Sequence, residues 1–352
     1  MGNSRLKIAF LVRDHPFEWD ESSLEDGMIG GTEECVVRVS SFLAKELKAE
    51  VFVFNQPPKN KDFHHGDGIV KYRNYKEFEC SSGWNDLYFL DYNYLHNEDL
   101  IDLNEPRKFF WIHNNVNDQF YLKQKDNFDK FLFVSEWQKN SVPDIQNKLV
   151  VGNGVNVKNF NQDIKKSPRY CINTSSPRRG LLTLVRDIWP RIKNKTEAEL
   201  HWYYGWEIFD WTGGDQDYKK KVKEEIEETD GVYSHGRVST IELKEKFEKA
   251  NIWLYPTEFK ETCCISVLEA QAAKALPITT NIAALNQNVH FGCKLSCQNI
   301  YSNSDCQKQI ANKAAYYIKN FDKARKEMEG SKEWVKENRS WQFVFNNFLS
   351  LY

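Results

Sequence analysis

Short apolar runs alternating with longer amphipathic stretches set the rhythm of the chain. Residues 7–12 (KIAFLV) form a continuous apolar run, the mark of a strand buried on both faces. A polar loop leads to Gly30-Gly31, after which Val36, Val39, Leu43 and Leu47 recur at helical spacing. Thr32 is the predicted N-cap of that helix, with Glu33 and Glu34 in its first turn. A second strand follows at 51–54, and further short apolar or aromatic runs at 87–90, 108–112 and 131–134 predict a parallel sheet covered by helices. Residues 159–169 are polar and read as a linker.

The alternation then restarts. Strands are predicted at 170–173, 200–204, 232–235, 252–255 and 276–280, and helices at 181–189 (stopped by Pro190), 217–228, 239–249 and 264–274. The tail reads as helices at 306–320 and 322–338, followed by a short amphipathic segment from Trp341. Two such runs predict an α/β protein of two Rossmann-like, doubly wound parallel-sheet domains facing each other across a cleft. The expected domains are residues 1–160 and 165–339, with the terminal helix 340–352 packing back on the first.

Composition narrows the partners. The 352 residues suit two domains, and 48 Lys+Arg against 50 Asp+Glu leave a net charge of -2, so nucleic acid is not an expected partner. No apolar run approaches the ~20 residues of a transmembrane helix, and the apolar stretch near the start is too short for a signal peptide. The expectation is a cytoplasmic protein, with peripheral membrane association left open. The eight Cys show no C-x2-C pair, and Cys293 and Cys297 read as a strand or loop pair rather than a metal site. Aromatic residues, 14% of the chain, fill cores and can also stack on sugars and nucleobases.

The segment Tyr255-Pro-Thr-Glu-Phe-Lys-Glu-Thr-Cys-Cys-Ile-Ser-Val-Leu-Glu holds candidate chemistry. Glu261 falls in a loop before a helix and Glu269 on that helix. Loop amides at a helix N-terminus suit anions or sugar oxygens, and a carboxylate can accept two hydrogen bonds from a ribose diol. By itself the spacing also fits two surface carboxylates. Asn173-Thr-Ser-Ser-Pro-Arg-Arg-Gly places Arg178 and Arg179 between a strand and a helix, where guanidinium groups hold a diphosphate or simply face solvent. His113 follows an aromatic strand and reads as a structural residue or a catalyst. Asp215-Gln-Asp217 is either a surface loop or an acidic pair able to bind a divalent metal. No G-x-G-x-x-G closely follows the first strand, which disfavours a dinucleotide oxidoreductase.

Together these pieces resemble the retaining family 4 glycosyltransferases of the GT-B fold. The resemblance runs through Gly30-Gly31-Thr-Glu-Glu, Trp111-Ile-His113, Phe133-Val-Ser-Glu-Trp-Gln, Asn153-Gly-Val-Asn with Phe160, Ser175-Ser-Pro-Arg-Arg-Gly-Leu, His235-Gly-Arg-Val and the pair Glu261 and Glu269. It implies a nucleotide-diphospho-sugar donor, a glycan, glycoprotein or lipid-linked acceptor, and no metal cofactor. Carried over by position, His113 lies beside the donor sugar and Gly30 and Gly31 approach the diphosphate, which Arg179 binds. His235, Gly236 and Val238 lie near the base, Glu269 binds the ribose, and Glu261 with the amides of Thr262, Cys263, Cys264 and Ile265 holds the transferred sugar. The chain departs from the pattern at Asn173, where a second Arg is usual and for which Arg178 could substitute, and at Cys264 and Lys274, where Gly is usual. The alternatives are a non-catalytic nucleotide-sugar-binding protein and a metal-dependent GT-A-type transferase using Asp215 and Asp217.

Overall fold

The structure is a computed structural model that describes residues 5–12, 17–26, 29–90, 106–115, 122–142, 145–160 and 164–352. The chain divides into one unit of Met1–Gly154 with Trp341–Tyr352 and a second of Val155–Ser340.

The first unit carries an eight-stranded sheet in the order β3-β4-β2-β1-β5-β6-β7-β8. Its strands are β1 Lys7–Leu11, β2 Glu50–Asn55, β3 Lys61–His65, β4 Gly68–Asn74, β5 Asp86–Phe89, β6 Arg107–Ile112, β7 Lys130–Phe133 and β8 Lys148–Val150. All pairs are parallel except β3 with β4. Because successive side chains alternate between faces, Ala9, Leu11, Leu87, Phe89, Phe110 and Phe131 join one core layer. Phe10, Tyr88 and Trp111 form the other. Phe10 stacks on Tyr88 at 4.6 Å, and the terminal helix Trp341–Leu349 sends Phe348 to within 4.9 Å of Trp111. Phe345 of that helix stacks on Phe42 at 4.0 Å, so the tail belongs to this core.

The hairpin β3–β4 escaped the sequence pattern because Lys-Asp-Phe-His-His has no apolar run. Its position is fixed by Gly68, where a Cβ would come within 1.8 Å of the Ala44 carbonyl oxygen. The first long helix, Gly31–Leu47, starts earlier than expected: its N-cap is Gly30, not Thr32, and Glu34 N–H bonds Gly30 O at 2.9 Å. Glu33 and Glu34 do lie in its first turn.

The second unit carries a six-stranded parallel sheet in the order β11-β10-β9-β12-β13-β14. Its strands are β9 Ser167–Asn173, β10 Glu199–Trp202, β11 Val232–Ser234, β12 Ala250–Tyr255, β13 Leu276–Thr280 and β14 Cys293–Leu295. Every residue of β12 is buried, as a central parallel strand requires. The expected linker is shorter than its polarity suggests, since β9 already begins at Ser167. Pro190 does not end the helix after β9. The helix passes from Leu181–Thr183 through a π turn, Leu184–Ile188, into Trp189–Lys193. The π turn absorbs the missing proline N–H, and the Arg191 side chain donates to Asp187 O at 2.9 Å. The helix expected at 322–338 is two, Phe321–Glu327 and Ser331–Asn338, separated at Gly330.

Candidate active site

In the second sheet the chain leaves β9 toward β10 on one side, while β12 leads to β13 on the other. The loops at the carboxyl ends of β9 and β12 therefore part at a topological switch point, where open α/β sheets bind ligands. Asn173 ties the two strand ends together: its side-chain amide donates to Leu254 O at 2.8 Å and its oxygen accepts from Ser175 N–H at 3.1 Å. At this position, where the resemblance has an Arg, the chain has a buried strap. A 3-10 turn with Pro177 at its start then presents two arginines. Gly180 follows with φ 101, and a Cβ there would meet Pro256 O at 2.6 Å, so glycine lets the two loops close on each other.

The consecutive arginines part company. Arg179 Nη1 donates to Glu261 Oε1 at 2.9 Å, and its guanidinium lies 4.1 Å from the Phe259 ring centre. The Tyr255 hydroxyl donates to the same Glu261 oxygen at 2.6 Å. Burial disfavours the Arg179 charge, but Glu261 and its neighbours outweigh it and hold the guanidinium firmly protonated. Arg178 is exposed, donates to Thr212 Oγ1 at 3.0 Å and covers Phe209. It lines a cavity of about 490 Å³ with Arg186, Tyr218 and Tyr301. The structure thus pairs Arg179 with Glu261, and Arg178 with Thr212 and Phe209.

Beyond Glu261, the helix Ile265–Ala272 begins at Cys264, which is left-handed (φ 63) and offers no side-chain cap. Burial, then the adjacent Glu261 carboxylate, push the Cys264 thiol well up, so it stays protonated. Asn288 Nδ2 donates to Cys263 O at 2.6 Å and steadies the turn that holds Thr262. Glu269 sits on this helix, partly exposed, as expected. Lys274, the other position where glycine is usual, is also left-handed (φ 57). Both departures therefore keep the backbone that glycine favours.

On the far side of the sheet, His235 Nε2 and His201 Nδ1 lie 2.9 Å apart, and the His235 ring stacks on Tyr203 at 4.4 Å. His201 stacks on Tyr170 at 3.8 Å. Burial, then His235, lower His201 to about 4, so the pair shares a proton rather than a second charge. Gly236 is left-handed (φ 70), and Val238 leads to Ser239, whose hydroxyl caps the helix Thr240–Lys249. Asp215 is a cap too, accepting from the amides of Asp217 and Tyr218. Both amides bond Asp215 Oδ1, and Asp215 and Asp217 are exposed.

In the first unit, His113 follows β6 with its ring 4.7 Å from Trp111, and burial lowers it to about 3, so it is neutral near pH 7. Gly30 and Gly31 open the helix after β1. Reading the sequence missed Tyr255, Phe259, His201 and Tyr301. Tyr255 and Phe259 lay inside the segment singled out, but a strand-end tyrosine reads as core, and partnership with Glu261 has no sequence signature.

Residues 170–320 match the family model described as glycosyl transferases group 1. No curated protein matches the chain by sequence. Solved structures match over nearly the whole chain. A glycosyltransferase from Rickettsia africae ESF-5 is 15% identical with TM-score 0.69, covering 99% of this chain and 97% of that one. Sucrose-phosphate synthase from Thermosynechococcus elongatus is 14% identical with TM-score 0.72, covering 99% and 98%. The fold is GT-B. Anabaena Alr3699/HepE, in complex with UDP-glucose, shares this GT-B architecture at 12% identity and TM-score 0.71, with 99% of each chain covered.

Proposed function

We propose that this protein is a retaining glycosyltransferase that moves a sugar from a UDP- or GDP-sugar to a hydroxyl of a glycan, glycoprotein or lipid-linked acceptor, without a metal. The observation that carries the reading is the buried carboxylate of Glu261 held by Arg179 at the switch point, within the segment that matches group 1 glycosyl transferases. The UDP-glucose complex of HepE supports the donor class.

Transfer builds negative charge on the leaving diphosphate and positive charge on an oxocarbenium-like sugar. Arg179 meets the first through guanidinium nitrogens not engaged by Glu261, aided by the amides from Thr262 to Ile265 and by Gly30 and Gly31. Glu261 accepts from the sugar hydroxyls, Glu269 from the ribose, and the segment from His235 through Gly236 to Val238 receives the base. His113, neutral, orients the sugar. The acceptor oxygen bonds to the anomeric carbon on the face from which the phosphate oxygen departs, and that oxygen takes the acceptor proton, so configuration is retained. We place the reaction in the cytoplasm. No helix among the described residues is long and apolar enough to cross a membrane.

The test is a panel of UDP-, GDP-, dTDP- and ADP-sugars, with and without EDTA, followed by thermal stabilisation and release of nucleoside diphosphate. One donor that stabilises and is slowly hydrolysed despite EDTA is the expected result. Donor binding with no turnover in any acceptor screen would instead favour a nucleotide-sugar-binding protein. Turnover abolished by EDTA and restored by Mn²⁺ would overturn metal independence.

A further inference from the structure

Glu261 makes an uneven pair of contacts. Both of its close donors, the Tyr255 hydroxyl at 2.6 Å and Arg179 Nη1 at 2.9 Å, converge on Oε1. We infer that Tyr255 is a positioning residue, which with Arg179 locks the Glu261 carboxylate by one oxygen and so presents Oε2 as the acceptor for a hydroxyl of the transferred sugar. The inference rests on the donor reading above and deepens it.

Tyr255 is built for rigidity. It is 1% exposed at the end of β12, and its carbonyl accepts from Thr279 Oγ1 at 2.6 Å. Its ring packs on Trp253 at 5.1 Å, and the Trp253 indole in turn lies 3.3 Å from Thr174 Oγ1 in the loop after β9. Burial, then the Glu261 charge, raise the phenol well above its ordinary range, so it remains a donor at any working pH. A hydrogen bond from a neutral donor to a carboxylate is charge-assisted and short, as here. The Glu261 main chain is held as well, its N–H by Phe259 O at 2.9 Å and its carbonyl by Ala284 N–H at 3.1 Å. Once backbone and Oε1 are both fixed, the carboxylate has one orientation left.

The experiment compares UDP with the UDP-sugar that the panel identifies, or GDP with its sugar if that is the donor. Binding and turnover are read for wild type, Tyr255→Phe, Glu261→Ala and the double variant. Tyr255→Phe is expected to leave affinity for the bare nucleotide unchanged, weaken the extra affinity due to the sugar about tenfold, and lower kcat by about 10–100-fold. In the Glu261→Ala background the same substitution should cost nothing further, since its only route to the sugar is gone. A Tyr255→Phe variant with wild-type sugar affinity and kcat would overturn the inference. So would equal losses in both backgrounds, the mark of a merely structural role. If Tyr255→Phe does not fold, Glu261→Gln gives the answer: two donors at Oε1 force its amide NH2 toward the sugar, and sugar affinity must then fall while nucleotide affinity holds. No response of wild type to any nucleotide sugar defeats the donor reading itself, an outcome distinct from these.

Discussion

Within the second unit, the loops after β9 and β12 and the segments after β10 and β11 solve different problems on one sheet. The first pair buries charge: Arg179 and Glu261 meet at 2.9 Å, with Glu261 only 6% exposed in its side chain. The second stacks His201, His235, Tyr170 and Tyr203, keeps His201 neutral through burial and leaves charge to its margins, at Glu199 and Lys249. A buried carboxylate left without its cation is costly, so the first region is expected not to tolerate loss of Arg179. A stack of flat neutral rings has no such dependence and suits a flat ligand such as a nucleobase. Under the proposed donor reading, the ion pair at the switch point serves the diphospho-sugar and the ring stack beside it serves the base.

The sharpest way to break this contrast is to remove the cation. Arg179→Ala should reduce transfer by about 10²–10³-fold, the usual effect of deleting one preorganised donor to developing charge. Arg179→Lys should recover little of it, because a point charge cannot serve Glu261 and a diphosphate with a planar fork. Arg178→Ala, in contrast, should leave turnover within about threefold, since Arg178 faces Thr212 and Phe209 instead. Steady-state rates for the three variants decide it, and equal losses for Arg178 and Arg179 would refute the division between them.

The neutral region predicts a pH effect. His201 is lowered to about 4 by burial and by His235, against about 6.5 when unfolded, so between these values the unfolded chain binds more protons. Stability is thus fully present above about pH 6.5 and is lost as pH falls toward 4. At ~1.4 kcal/mol per pH unit the loss is up to about 3 kcal/mol. Glu199, whose carboxylate lies 3.5 Å from His201 Nε2, softens this, while Lys249 adds to it. Urea unfolding at pH 7 and pH 5 measures the slope. His201→Phe keeps a flat ring against Tyr170 and should remove only its own share of the slope, leaving a share at least as large from His113, which burial lowers to about 3, and a further one from His235, also lowered by burial. An unchanged slope would remove His201 from the account.

The strand rhythm, the two α/β units and the terminal helix were legible because burial on both faces writes continuous apolar runs, such as KIAFL in β1 and ANIWLY in β12. The segments holding Arg179 and Glu261 were legible because loops at strand ends concentrate charge and glycine. What escaped depends on contacts distant in sequence. Gly68 is one glycine among many until Ala44 approaches it, and Pro190 reads as a stop until a π turn absorbs it. Tyr255 is apolar core by pattern and a donor to a carboxylate by geometry.

The smallest effect separates strain from function at the two ends of the helix Ile265–Ala272. Lys274 is left-handed and closes the helix with the paired bonds Lys274 N–H to Gln271 O and Ala275 N–H to Ala270 O, the arrangement in which glycine is favoured. Its side chain is exposed, so Lys274→Gly trades about 1–2 kcal/mol of backbone strain against about 0.4–1 kcal/mol of unfolded-chain entropy. A net gain of about 0.5 kcal/mol in chemical denaturation is expected, with no change in donor affinity. Cys264 carries the same strain, but its thiol lies beside Glu261 and Arg179, and Cys264→Gly gives up that packing. Its stability should change by less than about 0.5 kcal/mol while its donor affinity does change. If both substitutions prove equally stabilising and equally silent toward the donor, Cys264 is a tolerated strain and no part of the site.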